Sequence, residues 1–132
     1  MLTRVPSTLP AEVEEVIFRV IGAAIEVHKH LGPGYLESTY HRAFCIELDL
    51  RGMSYQVERR INVTYKDKEI AGQKLDLLVE SCVIVEVKAV AKLEQIHGSQ
   101  LVSYLKSTGL RAGLLINFNS VVLKAGIRRI VR

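Results

Sequence analysis

The chain has 132 residues, 48% of them hydrophobic, which suits one globular domain and excludes both a disordered chain and two full domains. A formal charge of +4 and a pI near 9.2 permit a polyanionic partner without establishing one. No apolar run reaches the roughly 18 residues of a membrane span, and the N-terminus has no signal-peptide pattern, so the expectation is a cytoplasmic protein without a membrane partner.

Residues 1–9 read as a lead-in and residues 10–132 as a single domain. Ser7 or Thr8 is positioned to cap a first helix, with Pro10 in its first turn and Glu12, Glu14 and Glu15 at the positive end of the dipole. Val13, Ile17, Val20, Ile21, Ala24 and Val27 keep helical spacing until Gly32-Pro33-Gly34 stops the helix. His28 and His30 then read as dipole partners at its C-terminal end. A second helix is expected over 36–50, with Tyr40, Phe44, Leu48 and either Ile46 or Glu47 on its inner face. Glu37 lies one turn from Tyr40. It fits equally a first-turn acid favoured by the dipole and a third carboxylate leaning over a site.

Residues 54–66 alternate as a strand, with Arg59 interrupting the apolar face and suggesting a twist or bulge. Lys66-Asp67-Lys68 reads as a hairpin turn, and a second strand over 69–79 delivers Asp76, with Gly72 marking a bend or bulge inside it. Glu80-Ser81 reverses the chain into a third apolar strand that carries Glu86 and Lys88 on one face and Val85, Val87 and Ala89 on the other. Ionised groups in so apolar a setting are destabilising by several kcal/mol unless a counter-charge or a metal satisfies them. Two acids and a lysine gathered at the middle of a sheet therefore mark a site. Asp76 lies opposite Glu86 only if the intervening loop has odd length or a bulge; their Cα atoms then start roughly 5 Å apart, close enough to share a divalent cation.

Asp76, nine intervening residues, then Glu86-Val87-Lys88 resembles the PD-(D/E)xK nuclease signature, with Leu75 in place of the proline that names it. Gly34-Tyr35-Leu36-Glu37-Ser38-Thr39-Tyr40 resembles the G-x-x-E-x-x-Y signature of the GxxExxY proteins, a bacterial and archaeal family within that superfamily. The likeness extends from Ile21 to Arg132. A helix over 92–107 carries His97, Gln100, Leu101, Tyr104 and Leu105 on one face. Its Gln100-Leu101-Val102-Ser103-Tyr104 is similar to the Q-x-x-x-Y motif of RecB-type nucleases. The resemblance implies that Gln100 and Tyr104 help to position the lysine or a phosphate; Gln100 can accept from Lys88 and donate to a phosphate oxygen. His97 reads first as an ordinary hydrogen-bonding residue and second as a phosphate contact. Strands over 113–118 and 121–131, the latter interrupted by Gly126, complete the chain.

The fold class implied is α/β: a restriction-endonuclease-like α-β-β-β-α-β core, a mixed sheet flanked by helices, with an extra N-terminal helix and C-terminal strand. The resemblance further implies a nuclease, that is, a hydrolase of DNA or, second, RNA. Asp76, Glu86 and the backbone carbonyl of Val87 would hold Mg²⁺ or Mn²⁺, with Glu37 completing the set directly or through water. Lys88 would orient or deprotonate the attacking water. The alternatives are a non-catalytic nucleic-acid- or protein-binding domain on the same fold, and a structural network in which Lys88 neutralises the two acids. A homodimer is compatible with so small a domain. The last third of the chain, without an acid after Glu94 but with Lys106, Arg111, Lys124, Arg128, Arg129 and Arg132, suits a phosphate backbone. Cys45 and Cys82 have no zinc-like spacing and read as reduced, buried thiols.

Overall fold

A computed structural model describes residues 7–132; most of the expected lead-in, residues 1–6, lies outside the described residues. Two helices come first, α1 (Ala11–Leu31) and α2 (Glu37–Leu50), followed by three strands, β1 (Tyr55–Tyr65), β2 (Lys68–Val79) and β3 (Val83–Lys88). Helix α3 (Gln95–Thr108) then crosses to β4 (Ala112–Asn117), and a 3₁₀ turn (Leu123–Gly126) leads into β5 (Ile127–Val131). The sheet order is β1-β2-β3-β4-β5, antiparallel throughout except for the parallel β3–β4 pair that α3 connects.

Both faces of the sheet are covered at its centre, which explains why β3 is almost continuously apolar, while β1 and the first half of β2 are largely exposed. On one face α1 and α2 bring Val20, Ala24, Val27, Tyr40, Phe44 and Leu48 against Val83, Val85, Val87, Leu114 and Ile116. On the other, Leu101, Tyr104 and Leu105 of α3 pack on Leu78, Ile84 and Leu115. Strand alternation thus sends the odd positions of β3 to the two-helix layer and its even positions, Ile84 and Glu86, toward α3.

Three expectations are corrected at element ends. Neither Ser7 nor Thr8 caps α1: Pro10 holds the cap position, its carbonyl accepts the Val13 and Glu14 amides, and Ser7 Oγ takes the Leu9 amide at 3.1 Å. Helix α3 begins at Gln95, three residues later than expected, because Glu94 and His97 form a capping box there. The expected strand over 121–131 is only β5; a 3₁₀ turn takes the place of its first half, ending at Gly126, where a side chain would collide with Ser120 and the Asn117 carbonyl. Cys82, expected to be buried, is only half-buried in the β2–β3 loop, while Cys45 is buried in α2; both are free thiols.

The β1–β2 hairpin turns through Lys66 and Asp67, both at positive φ, as a tight two-residue turn. Its ladder breaks where Ile61 faces Gly72 and Gln73, a bulge on β2. A side chain at Gly72 would approach the Ile61 carbonyl to 2.5 Å, so the close crossing requires glycine. A second irregularity falls at Glu58, φ 51°, the position opposite Asp76. Leu75 and Leu77, two apart, consequently pack on opposite sides of the sheet.

Candidate active site in the fork of the sheet

The β2–β3 loop has three residues, Glu80, Ser81 and Cys82, which is the odd length that brings Asp76 opposite Glu86. Glu80 and Ser81 both adopt left-handed backbone, φ 50° and 58°. Ser54 holds the bend in place: its carbonyl accepts the Glu80 amide at 2.9 Å, and its own amide donates to the Glu80 carboxylate at 3.0 Å. Pairing of Val79 with Val83, Leu78 with Ile84 and Leu77 with Val85 leads, one step on, to Asp76 and Glu86.

Regular pairing ends there, and β2 leaves with β1 while β3 continues on β4 as far as Lys88–Asn117. Asp76 sits in the resulting fork. Its Oδ2 accepts the Val87 N–H at 2.9 Å, a side-chain substitute for the next rung of the ladder. Glu86, only 3% exposed, points toward α3, and its Oε1 is buried without a hydrogen-bond partner among the described residues. Leaving such a group unsatisfied is destabilising by roughly 1–3 kcal/mol. Burial, then the hydrogen bond and charge of Asp76, push its carboxyl up to about 9, against a weaker pull from Lys88. Glu86 therefore holds its proton at neutral pH.

Lys88 is half-buried, and the ion pairs among the described residues lie elsewhere: Arg19–Glu80, Glu26–His30, Glu47–Arg51 and Glu14–Arg129. Its ammonium is felt by Glu86 but is not within 4 Å of either acid. Facing the fork from α3, the Tyr104 phenol is pushed up to about 12 by burial and then by the charges of Glu86 and Asp76, so it remains a proton donor. Its hydroxyl donates to Gln73 Oε1 at 2.8 Å, and Gln100 Nε2 donates to the same oxygen at 2.7 Å. Gln100 is thus tied to β2 and makes no bond to Lys88. His97 Nδ1 accepts the Glu94 amide at 2.8 Å, the ordinary hydrogen-bonding role.

Gln73 is the member that reading the sequence missed. Alternation from Asp76 puts it on the opposite face, but the bulge at Gly72–Gln73 and the phase break at Asp76 turn both toward α3. The glycine within a strand was the one available signal that alternation fails there. A second network also went unread. Asn117 exchanges two hydrogen bonds with the Val90 backbone, and Asn119 Oδ1 accepts the Gly34 amide, lashing the loop before α2 to the exit of β3. Tyr40 closes that loop, donating to the Gly32 carbonyl at 2.5 Å and accepting the Tyr35 amide at 3.1 Å. Glu37, the first residue of α2, is exposed. Among the described residues no three His, Cys, Asp or Glu side chains cluster as a metal-binding set, so Glu37 is not brought together with Asp76 and Glu86.

The donors present are oxygens: two carboxylates, one with an unpartnered buried atom, beside the backbone of Val87. That set suits a hard divalent cation and offers nothing soft. A protein-family model described as the PD-(D/E)XK nuclease superfamily matches residues 14–130. The chain belongs to the PD-(D/E)XK nuclease superfamily. No curated protein and no solved structure gives a significant match. The mixed α/β sheet flanked by helices is the architecture expected of this superfamily member, and no helix among the described residues is long and apolar enough to cross a membrane.

Proposed function

We propose that this superfamily member is a Mg²⁺- or Mn²⁺-dependent nuclease that hydrolyses phosphodiester bonds, DNA before RNA, with Asp76, Glu86 and Lys88 at its centre. The observation that carries the reading is the buried, unpartnered Oε1 of Glu86 beside Asp76 in the fork of the sheet. A protein rarely keeps so costly an arrangement at the centre of a sheet without use for it. Asp76, Glu86 and the Val87 carbonyl would hold the cation; Glu37 would join them only through water or after movement of α2. The bound cation supplies Lewis-acid polarisation of a phosphoryl oxygen and a more acidic water. Lys88 orients that water or offsets charge building on phosphorus. Gln100, which keeps one N–H beyond its bond to Gln73, presents a hydrogen-bond donor to the substrate phosphate, and Tyr104, its only O–H given to Gln73, holds that pair in place.

A structural ion-pair network is the weaker account, because Lys88 contacts neither acid and Glu86 Oε1 is left without a partner. The Gly34–Tyr40 and Gln100–Tyr104 motifs support placement with the GxxExxY proteins and the RecB-type Q-x-x-x-Y variant. Cytoplasmic location and a homodimer belong to the same proposal.

The deciding experiment is incubation with a panel of labelled DNA and RNA, single-stranded, duplex and branched, in Mn²⁺ and in EDTA. Cleavage by the wild type in Mn²⁺ only, lost in Glu86→Gln and strongly reduced in Lys88→Ala, is the expected result. Absence of cleavage across the panel, or equal cleavage by Glu86→Gln, contradicts it.

A further inference from the structure

A cleft that does not contain the acids, with a volume of about 810 Å³, runs between α3 and the bulged half of the β1–β2 hairpin. That is within the roughly 300–1,000 Å³ of sites that enclose small organic groups. Tyr104 and Gln73 belong both to this cleft and to the polar cluster facing Asp76 and Glu86, so the cleft adjoins the fork.

Its chemistry is specific. Ile61, Val63 and Ile96 supply aliphatic surface, and Ile96 and Val63 are 69% and 42% exposed within an otherwise polar surround. Asn62, Gln73 and Gln100 supply amides. No carboxylate lines the cleft, and Lys106 is its only permanently charged residue. Gln73 Oε1 accepts two bonds, yet its amide nitrogen has no partner among the described residues. Exposed aliphatic walls, the unpartnered amide nitrogen of Gln73 with the second N–H of Gln100, and one cation match a planar heterocycle on an anionic backbone; the Asn62 amide is already given to Glu69. They do not match a duplex, whose bases are stacked out of reach of a cleft of this kind.

We infer that this cleft receives an unpaired base next to the scissile phosphate, so that the substrate is single-stranded or locally unpaired nucleic acid. The inference rests on the nuclease reading of the neighbouring acids for the word scissile, but base binding itself does not require a cation. A base lying against Ile96 and Val63 covers the exposed aliphatic surface, while Gln73 and Gln100 meet its polar edge. Lys106 then faces the adjoining phosphate.

Fluorescence anisotropy in EDTA separates the two readings. The probes are a short labelled single strand, the same strand with abasic sites, and the blunt duplex of the same sequence. The wild type is expected to bind the intact strand at least about fivefold tighter than the abasic one, the scale of covering roughly 40 Å² of apolar surface, and tighter than the duplex. Ser103→Leu fills the cleft from an exposed position on α3 without adding an aromatic face and should erase the preference while thermal unfolding stays unchanged. Should that variant unfold, Ile96→Asp, at a position 69% exposed, serves instead and should repel the strand. Equal affinity for intact and abasic strands, preference for the duplex, no strand binding, or a folded variant that keeps the preference overturns the inference. Base preference without Mn²⁺-dependent cleavage sinks the nuclease reading alone; cleavage without base preference sinks the cleft alone.

Discussion

Asp76 accepts the backbone amide of Val87 at the point where β2 and β3 part, so one carboxylate both closes the fork and bears on Glu86. This double duty predicts that the two ways of neutralising Asp76 differ. Asp76→Asn keeps a carbonyl oxygen for the Val87 amide and should unfold within about 1 kcal/mol of wild type. Asp76→Ala strands that amide and should lose roughly 1–3 kcal/mol in urea denaturation. Both should lose metal-dependent cleavage. Equal stability of the two variants would show that the hydrogen bond contributes nothing.

Glu86 makes the apo protein sensitive to alkali. Its folded carboxyl is raised from 4.5 to about 9, chiefly by burial and next by Asp76. The folded state therefore binds more protons than the unfolded chain between those values, and stability falls as pH rises through that window. Glu86→Gln removes the titration. It should be more stable than wild type in EDTA at pH 8 by on the order of 4 kcal/mol more than at pH 5, as read from urea midpoints. Parallel pH profiles for the two proteins would contradict the buried, proton-holding carboxyl.

Lys88 gives the opposite signature. It is not within 4 Å of either acid, so Lys88→Ala should change unfolding free energy by less than about 1 kcal/mol. Its cleavage rate should fall on the order of 100-fold, the usual scale for a lost acid–base or charge-stabilising group. A variant several kcal/mol less stable, as when one partner of a buried ion pair is removed, would restore the structural network as the better account.

The placement of Asp76 opposite Glu86 was legible in the sequence because its logic is local. Period-two alternation puts Glu86 and Lys88 on one face, parity demands an odd loop, and Glu80-Ser81-Cys82 supplies it. The helices were legible from their apolar spacing, and Tyr40, Phe44 and Leu48 are fully buried as their pattern required. Gln73 was not legible, because two irregularities in β1–β2 change the phase of side chains that alternation treats as fixed. Glu37 illustrates a different limit. A first-turn acid carries no marker of what lies across from it, and its approach to the fork depends on how a loop is lashed by Asn119 and Tyr40.

The central claim is that Asp76 and Glu86 share a divalent cation, and calorimetric titration with Mn²⁺ tests it most directly. Wild type should bind one ion per chain and release about one proton at pH 7, since Glu86 must give up the proton it holds there; the release appears as a dependence of the heat on buffer ionisation. Asp76→Asn and Glu86→Gln should show no such binding. Wild type that takes up no Mn²⁺, or either variant binding as the wild type does, would contradict the account.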